Sequence, residues 1–256
     1  MTVADDLVNN LDAVLEGVVE DCDPRHIGLS ALGKCGRQLA YRHHGHPSPP
    51  IEPRGRVTLA TGTLMHDWIR PHLAKALERM GCYRLEGFPK EIEVLLEDPR
   101  LLKGITGHMD GRLVHDPQGP GCPADHEDMV LEVKTFSPYG FKEFLAAGPG
   151  GEYLAQTEGY LRACGLRKTL FFGIDKATGQ YAASIYEFQG GHVEAGIDRM
   201  ARLQRTLTAE EMPRDHAPKM PSGDLPWQCG YCPFVETCWK DNQLKEKAPH
   251  KYRVTI

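Results

Sequence analysis

Three charged side chains set the chemistry this chain could perform: Asp110 in "GHMDGRLV", and Glu132 and Lys134 in "DMVLEVKTF". Both stretches read as strands, separated by the Pro/Gly-rich "DPQGPGCPADHE", a turn or long hairpin loop. Side chains two apart on a strand share a face, so Glu132 and Lys134 should project together while Leu131 and Val133 enter the core. Two carboxylates can hold a hard divalent cation, and a fixed ammonium beside them lowers the cost of charge developing on a phosphate or holds an attacking water. The same residue types also suit solvated strands, because an Asp and a Glu-x-Lys on either side of a loop occur often by chance.

The surrounding elements decide whether these groups can meet. Leu7, Leu11, Val14, Leu15, Val18 and Val19 recur with helical period, which predicts an amphipathic N-terminal helix docked on the domain. A second helix is expected after Ser30, whose hydroxyl can cap it, running through "ALGKCGRQLAYRHH" and carrying Cys35. "GHPSPPIEPRG" reads as a loop. From Thr58 to Met80 the pattern is helical, with His66, Ile69, Leu73, Leu77 and Met80 on one stripe and Pro71 expected to kink or split the helix. His66 on that inward face is either a satisfied core residue or a ligand. "PKEIEVLLED" predicts a strand with Ile92, Val94 and Leu96 on one face; Glu93, on the other, either nears the site or is simply exposed.

Beyond Lys134, "SPYGFKEFLAAG" and "EYLAQTEGYLRACG" predict two helices broken by "GPGG". Gln156 and Tyr160, four apart, share a helix face. "KTLFFGIDKATGQYAASIYEF" reads as a hairpin, and Val193, Ile197, Met200, Leu203 and Leu207 mark a final long helix. This order predicts an α/β fold with a mixed central sheet flanked by helices. We divide the chain into an N-terminal helical segment over 1–57, a core over 58–210, and a linker, cysteine segment and basic tail over 211–256.

The ordered set Gly-x-x-Asp ending at Asp110, Glu132-x-Lys134, then Gln156-Thr-Glu-Gly-Tyr160 resembles the PD-(D/E)XK nucleases, the RecB-like exonuclease branch in particular. The resemblance implies a restriction-endonuclease-like core in which Asp110 and Glu132 bind Mg2+ or Mn2+, with the main-chain carbonyl of Val133 as a further ligand. It implies that Lys134 acts in catalysis, and that Gln156 and Tyr160 contact the DNA or hold the Lys and substrate. "TGTLMHDWI" looks like the branch's helix whose His joins the metal shell, which adds His66; imidazole suits Mn2+ as well as Mg2+. Met109 stands where other members of the superfamily carry a Pro before the Asp.

The chain holds eight cysteines, and in a reducing compartment a spaced set more often holds metal than forms disulfides. Cys229, Cys232 and Cys238 follow C-x2-C-x5-C. Three thiols cannot complete a four-coordinate site, and Cys35 is the best candidate for the fourth ligand, which requires segments far apart in the chain to meet. "LGKCGRQLAYR" and "CGYCPFVETC" look like the two pieces that hold a 4Fe-4S cluster in RecB-like, AddB-type and CRISPR-associated exonucleases. Four thiolates also suit structural zinc, and unligated thiols are the remaining reading. Cys22, Cys82, Cys122 and Cys164 lack this spacing and read as ordinary small residues.

The net charge of −5, from 30 basic and 35 acidic side chains, is not the bulk signature of a nucleic-acid binder. If DNA is the substrate, positive charge must be local, with Lys34 to His46 and the tail from Lys240 to Arg253 as candidate patches; such runs are also common on solvated surface. The first residues carry acids where a signal peptide needs bases, and no stretch approaches a membrane span, so a soluble cytoplasmic protein is expected. The expectation is a metal-dependent exonuclease acting on DNA, single-stranded or with free ends, in recombination, repair or replication. Self-association or a recombination or replication protein partner stays open. The alternatives are a non-catalytic DNA-binding or assembly subunit that keeps the fold, and a CRISPR-type spacer-processing nuclease.

Overall fold

The computed structural model describes residues 3–17, 25–119 and 126–255. In chain order the elements are α1 (Val3–Glu16), α2 (Gly36–His43), α3 (Pro53–Met80), β1 (Tyr83–Glu86), β2 (Ile92–Leu96), β3 (Ile105–Met109), β4 (Gly111–His115) and β5 (Met129–Phe136). They continue with α4 (Pro138–Ala147), α5 (Gly151–Cys164), β6 (Lys168–Asp175), β7 (Tyr181–Glu187), α6 (Gly191–Leu203), α7 (Trp227–Gly230), α8 (Val235–Trp239), β8 (Lys245–Ala248) and β9 (Lys251–Arg253). The chain falls into two compact units, one of residues 1–19, 28–33 and 51–197, the other of 20–27, 34–50 and 198–256.

The larger unit is built on a five-stranded sheet of order β1-β4-β5-β6-β7. The β5–β6 pair is parallel and the other pairs are antiparallel, so this is the mixed central sheet expected from the sequence. Period-two alternation gives β5 and β6 two apolar faces. Leu131, Val133, Phe172 and Ile174 pack with Leu77, Ile69 and Leu73 of α3. Phe136 and Phe171 face the other way, against Phe141 and Phe144 of α4 and Tyr153 of α5. Helices thus flank both faces. Ser137 caps α4 by accepting a hydrogen bond from the Gly140 amide.

β2 and β3 form a separate two-stranded sheet. Its Val94 and Leu96 are buried while Glu93 and Leu95 are exposed, as the alternation predicts. A four-charge network fixes its neighbourhood: Asp98 accepts from Arg100 Nε at 2.8 Å and from Arg162 Nη2 at 2.6 Å. Glu194 joins the same two guanidiniums.

Several elements depart from expectation. Pro71 lies inside the continuous α3; the buried face of the helix, carrying Leu77 and the half-buried Ile69 and Leu73, holds it together across the missing amide donor. The helix also starts at Pro53, inside the predicted loop, because a proline costs nothing at the first helical position. No helix begins at Ser30, which sits in a 3-10 turn over Leu29–Ala31. A Cβ on Gly33 would lie 2.4 Å from the Cα of Glu152, so the chain there runs tight against α5 instead of coiling. The last long helix stops at Leu203, leaving Leu207 exposed. α1 forms, but Leu7, Leu11 and Val14 are exposed, at 69%, 52% and 67%, so its apolar stripe is not docked as expected. Val18, Val19, Cys22 and Cys122 lie outside the described residues. Cys82 is disulfide-bonded, not a free small residue.

In the smaller unit, α2 begins after Cys35, which precedes it as the N-cap. Arg37 donates to the Met212 carbonyl at 2.5 Å and to that of Glu210 at 2.9 Å, so this member of the first basic run serves the fold. Leu225, Val235, Trp239 and Val254 form the unit's small core, with Tyr252 against it.

Candidate metal centre

Asp110 lies at a joint in the backbone. β3 ends at Met109 in the two-stranded sheet and β4 begins at Gly111 in the five-stranded one, so the carboxylate belongs to neither ladder and sits where the chain passes between them. Gly111 permits this passage: a Cβ there would lie 2.5 Å from Leu85 Cδ1 and 2.8 Å from the Glu86 carbonyl oxygen. Arg70 of α3, only 5% exposed, locks the joint by donating to the Asp110 carbonyl at 2.8 Å and the Gly87 carbonyl at 2.6 Å.

The Asp110 side chain is held from two sides. Oδ2 accepts from the Val133 amide at 2.6 Å, and Oδ1 lies 2.9 Å from His66 Nε2. That contact raises the His66 pKa, through the hydrogen bond to Asp110 first, against burial. Glu91, just before β2, adds a third donor, and the ligand atoms of His66, Glu91 and Asp110 all lie within 4.8 Å of one another. An imidazole and two carboxylates at this spacing are a donor set for a hard or borderline divalent ion. Among the described residues it is the single group of three or more such donors.

β5 supplies the next layer. Glu132 is 1% exposed, and its Oε1 meets Lys134 Nζ at 2.5 Å and accepts from Gln156 Nε2 at 3.1 Å. Its Oε2 is buried without a hydrogen-bond partner, the one carboxylate oxygen so placed among the described residues. Burial first, then Asp110, pushes the Glu132 carboxyl up to about 7, against the pull of Lys134 and His66. Burial acts to lower the Lys134 pKa, but Glu132 outweighs it and the ammonium is held charged. Lys134 Nζ also donates to Gln156 Oε1 at 3.3 Å and sits 5.1 Å from the Tyr153 ring centre. Gln156 Nε2 is 3.0 Å from Tyr160 Oη, which donates to the His108 carbonyl at 2.7 Å. With Tyr160 1% exposed, this Gln–Tyr pair faces the protein interior and braces β5 against β3. Burial raises the Tyr160 phenol well above its ordinary value.

The structure therefore brings His66, Asp110, Glu132, Lys134, Gln156 and Tyr160 into one connected neighbourhood, with Val133 contributing its amide. Glu91 and Arg70 were missed by sequence reasoning. Arg70 carried a signal, its i, i+4 spacing from His66 on one helix face. Glu91 carried none beyond standing two residues before Glu93. Glu93 itself is exposed and lies 3.6 Å from His108.

Cys35, Cys229, Cys232 and Cys238 all belong to the smaller unit and are free of disulfides. Burial pushes the Cys229 thiol up to about 11 and Cys232 to about 12, and the charges of Cys35 and Cys238 add to both. Burial also raises Cys238, with Cys35 adding to it and Arg214 opposing. Their sulfurs do not form a group with the close mutual spacing of the His66, Glu91 and Asp110 donors. Cys164 is a free, half-buried thiol.

No family model matches the chain, and no curated protein does. Among solved structures, SSO0001 is 14% identical, with 93% of this chain and 96% of that one covered and a TM-score of 0.49. The alkaline exonuclease LHK-Exo of Laribacter hongkongensis is 15% identical over 76% of this chain and 90% of that one, with a TM-score of 0.44. The same enzyme in complex with dAMP gives 14% identity, the same coverage and the same TM-score. No helix among the described residues is long and apolar enough to cross a membrane.

Proposed function

We propose that the chain is a metal-dependent deoxyribonuclease of exonuclease type, hydrolysing phosphodiester bonds in DNA that is single-stranded or has free ends. The observation that carries this reading is a three-donor group of His66, Glu91 and Asp110 together with a buried Glu132 that interacts electrostatically with Asp110 and His66, holds a charged lysine on Oε1 and has no hydrogen-bond partner on Oε2. A carboxylate oxygen taken from water and given no partner costs several kcal/mol, a cost that a bound cation removes. His66 Nε2, Asp110 Oδ1, Glu91 and Glu132 Oε2 would hold Mg2+ or Mn2+, with the Val133 main chain beside them. An ion there supplies Lewis acidity and acidifies bound water. Lys134 places a positive charge where a phosphate would develop negative charge, and Gln156 keeps the ammonium aimed while Tyr160 anchors Gln156. The 4Fe-4S cluster that the resemblance implies finds no such support in the smaller unit, because the sulfurs of Cys35, Cys229, Cys232 and Cys238 lack the close mutual spacing of a shared ligand set.

The test is cleavage of end-labelled single- and double-stranded DNA with and without Mg2+ or Mn2+. Wild type should cleave only with the ion, and Glu132→Ala and Lys134→Ala should each lose about 100-fold or more. Equal cleavage by all three removes this assignment of the site. No cleavage by any of them leaves a non-catalytic DNA-binding role.

A further inference from the structure

Three rings crowd one exposed edge of the smaller unit. Trp227 opens α7 and is 67% exposed, and Tyr231 just after α7 is 69% exposed. Their rings meet edge to face at 6.4 Å. Tyr231 then stacks on His250, with centroids 4.7 Å apart and planes 18° from parallel. His250 stands in the turn between β8 and β9, in the left-handed region at φ 61°. The turn is pressed onto the end of α7: a Cβ on Gly230 would lie 2.1 Å from the His250 carbonyl oxygen, so only glycine allows the approach that sets the rings face to face.

Large aromatic faces left in water are costly unless something covers them. The charge around them indicates what does. Residues 240–256 hold five basic and two acidic side chains in a chain of net charge −5. Lys247 and Arg253 are spent on Asp224, at 3.2 and 2.9 Å. Lys240, Lys245 and Lys251 are exposed and have no ion-pair partner among the described residues, and Lys251 directly follows His250. Exposed π-faces next to the unspent ammonium of Lys251, with Lys245 farther along the same hairpin, match the bases and phosphates of a single strand, and a duplex, whose bases are already stacked, could not use the rings.

We propose that Trp227, Tyr231 and His250 form a base-stacking platform for single-stranded DNA, with Lys251 and Lys245 taking its phosphates. The proposal rests on DNA being the substrate of the metal centre, and it adds which residues of the smaller unit grip the strand. Tyr231 is the central ring, in contact with both others.

Binding is read by fluorescence anisotropy with a labelled twelve-residue oligo-dT and an abasic strand of equal length, using the full chain in a Glu132→Ala background without added divalent ions. The protein should bind oligo-dT more tightly than the abasic strand. Tyr231→Ala should weaken oligo-dT binding about ten-fold, the effect of one lost stacking contact, and leave abasic binding unchanged. Tyr231→Phe should restore it, and Trp227→Ala should weaken oligo-dT in the same direction. The platform is refuted by undiminished binding in Tyr231→Ala, by equal affinity for the two strands, or by no binding of oligo-dT at all. Cleavage by wild type with no Tyr231 effect sinks the platform alone; Tyr231-dependent binding without wild-type cleavage sinks the nuclease reading alone.

Discussion

Replacing Gln156 with Leu removes the amide at the centre of the site while nearly keeping its volume. Gln156 is 8% exposed, and the substitution deletes a bond to the Glu132 carboxylate at 3.1 Å and one to the Tyr160 hydroxyl at 3.0 Å. A bond to a charged partner contributes about 1.5–3 kcal/mol and a neutral one about 0.5–1.5 kcal/mol. Burying the leucine returns about 1–2 kcal/mol, so the net loss of stability should be about 1–3 kcal/mol. Lys134 keeps Glu132 and the Tyr153 face but loses its third support, at 3.3 Å. A misplacement of about 1 Å costs on the order of 100-fold in rate, so kcat should fall about 10- to 100-fold while KM changes little. Gln156→Glu sets a second carboxylate against the buried Glu132 and should cost more stability than the leucine. Urea unfolding and steady-state cleavage of a labelled single strand measure both quantities. A Gln156→Leu protein with wild-type kcat would refute the positioning role, since a purely structural glutamine would lower stability alone.

Asp98 is held well below the usual carboxylate range, chiefly by its hydrogen bonds to Arg100. A carboxylate depressed on folding stabilises fully above its unfolded pKa of about 3.9 and loses that contribution as pH falls toward its folded value. Asp98→Asn should thus cost about 1–2 kcal/mol at pH 7, with the gap to wild type narrowing in urea melts below about pH 4; a constant gap would contradict the network. Mn2+ at about 100 times its dissociation constant should stabilise wild type by about 2.7 kcal/mol, visible as a rise in Tm that Asp110→Asn abolishes, and an equal rise in both proteins would place the ion elsewhere.

Much of this site was legible because strands and helices have short periods. The two-residue repeat of β5 put Glu132 beside Lys134 and turned Leu131 and Val133 toward α3. The four-residue spacing on α5 aligned Gln156 with Tyr160. What could not be read were joints between elements. "GHMDGRLVH" looks like one strand, since nothing in its alternation reveals that Asp110 is where the chain leaves one sheet for another. Glu91 enters the cluster through the path of the chain before β2, which no periodicity encodes. Pro71 misled for the opposite reason: its local cost is real, but a helix packed on β1 and β5 tolerates one missing bond. The apolar stripe of α1 shows the limit of periodicity, which identifies a face without saying what covers it.

Burial alone would not have separated the chemical acids from the structural ones. Glu158, two residues beyond Gln156 on the same helix, is 0% exposed and looks at least as unusual as Glu132. Its oxygens are fully used: Oε1 accepts from the Tyr186 hydroxyl and from the Gly190 amide, and Oε2 accepts from the Val193 amide at 2.7 Å. Both amides lie at the start of α6, Gly190 just before it and Val193 in its first turn, so Glu158 satisfies donors that a helix N-terminus leaves open. Asp175 is spent likewise, on the Ala177 amide and the Thr178 hydroxyl of its own turn. Glu132 differs in one oxygen. The fold takes that atom out of water and offers it nothing, while the donors it could have shared are already given to Oε1. A buried acid that the chain saturates holds the chain together; Glu132, left half-saturated and electrostatically linked to Asp110 and His66, is the acid we propose to meet a cation from outside.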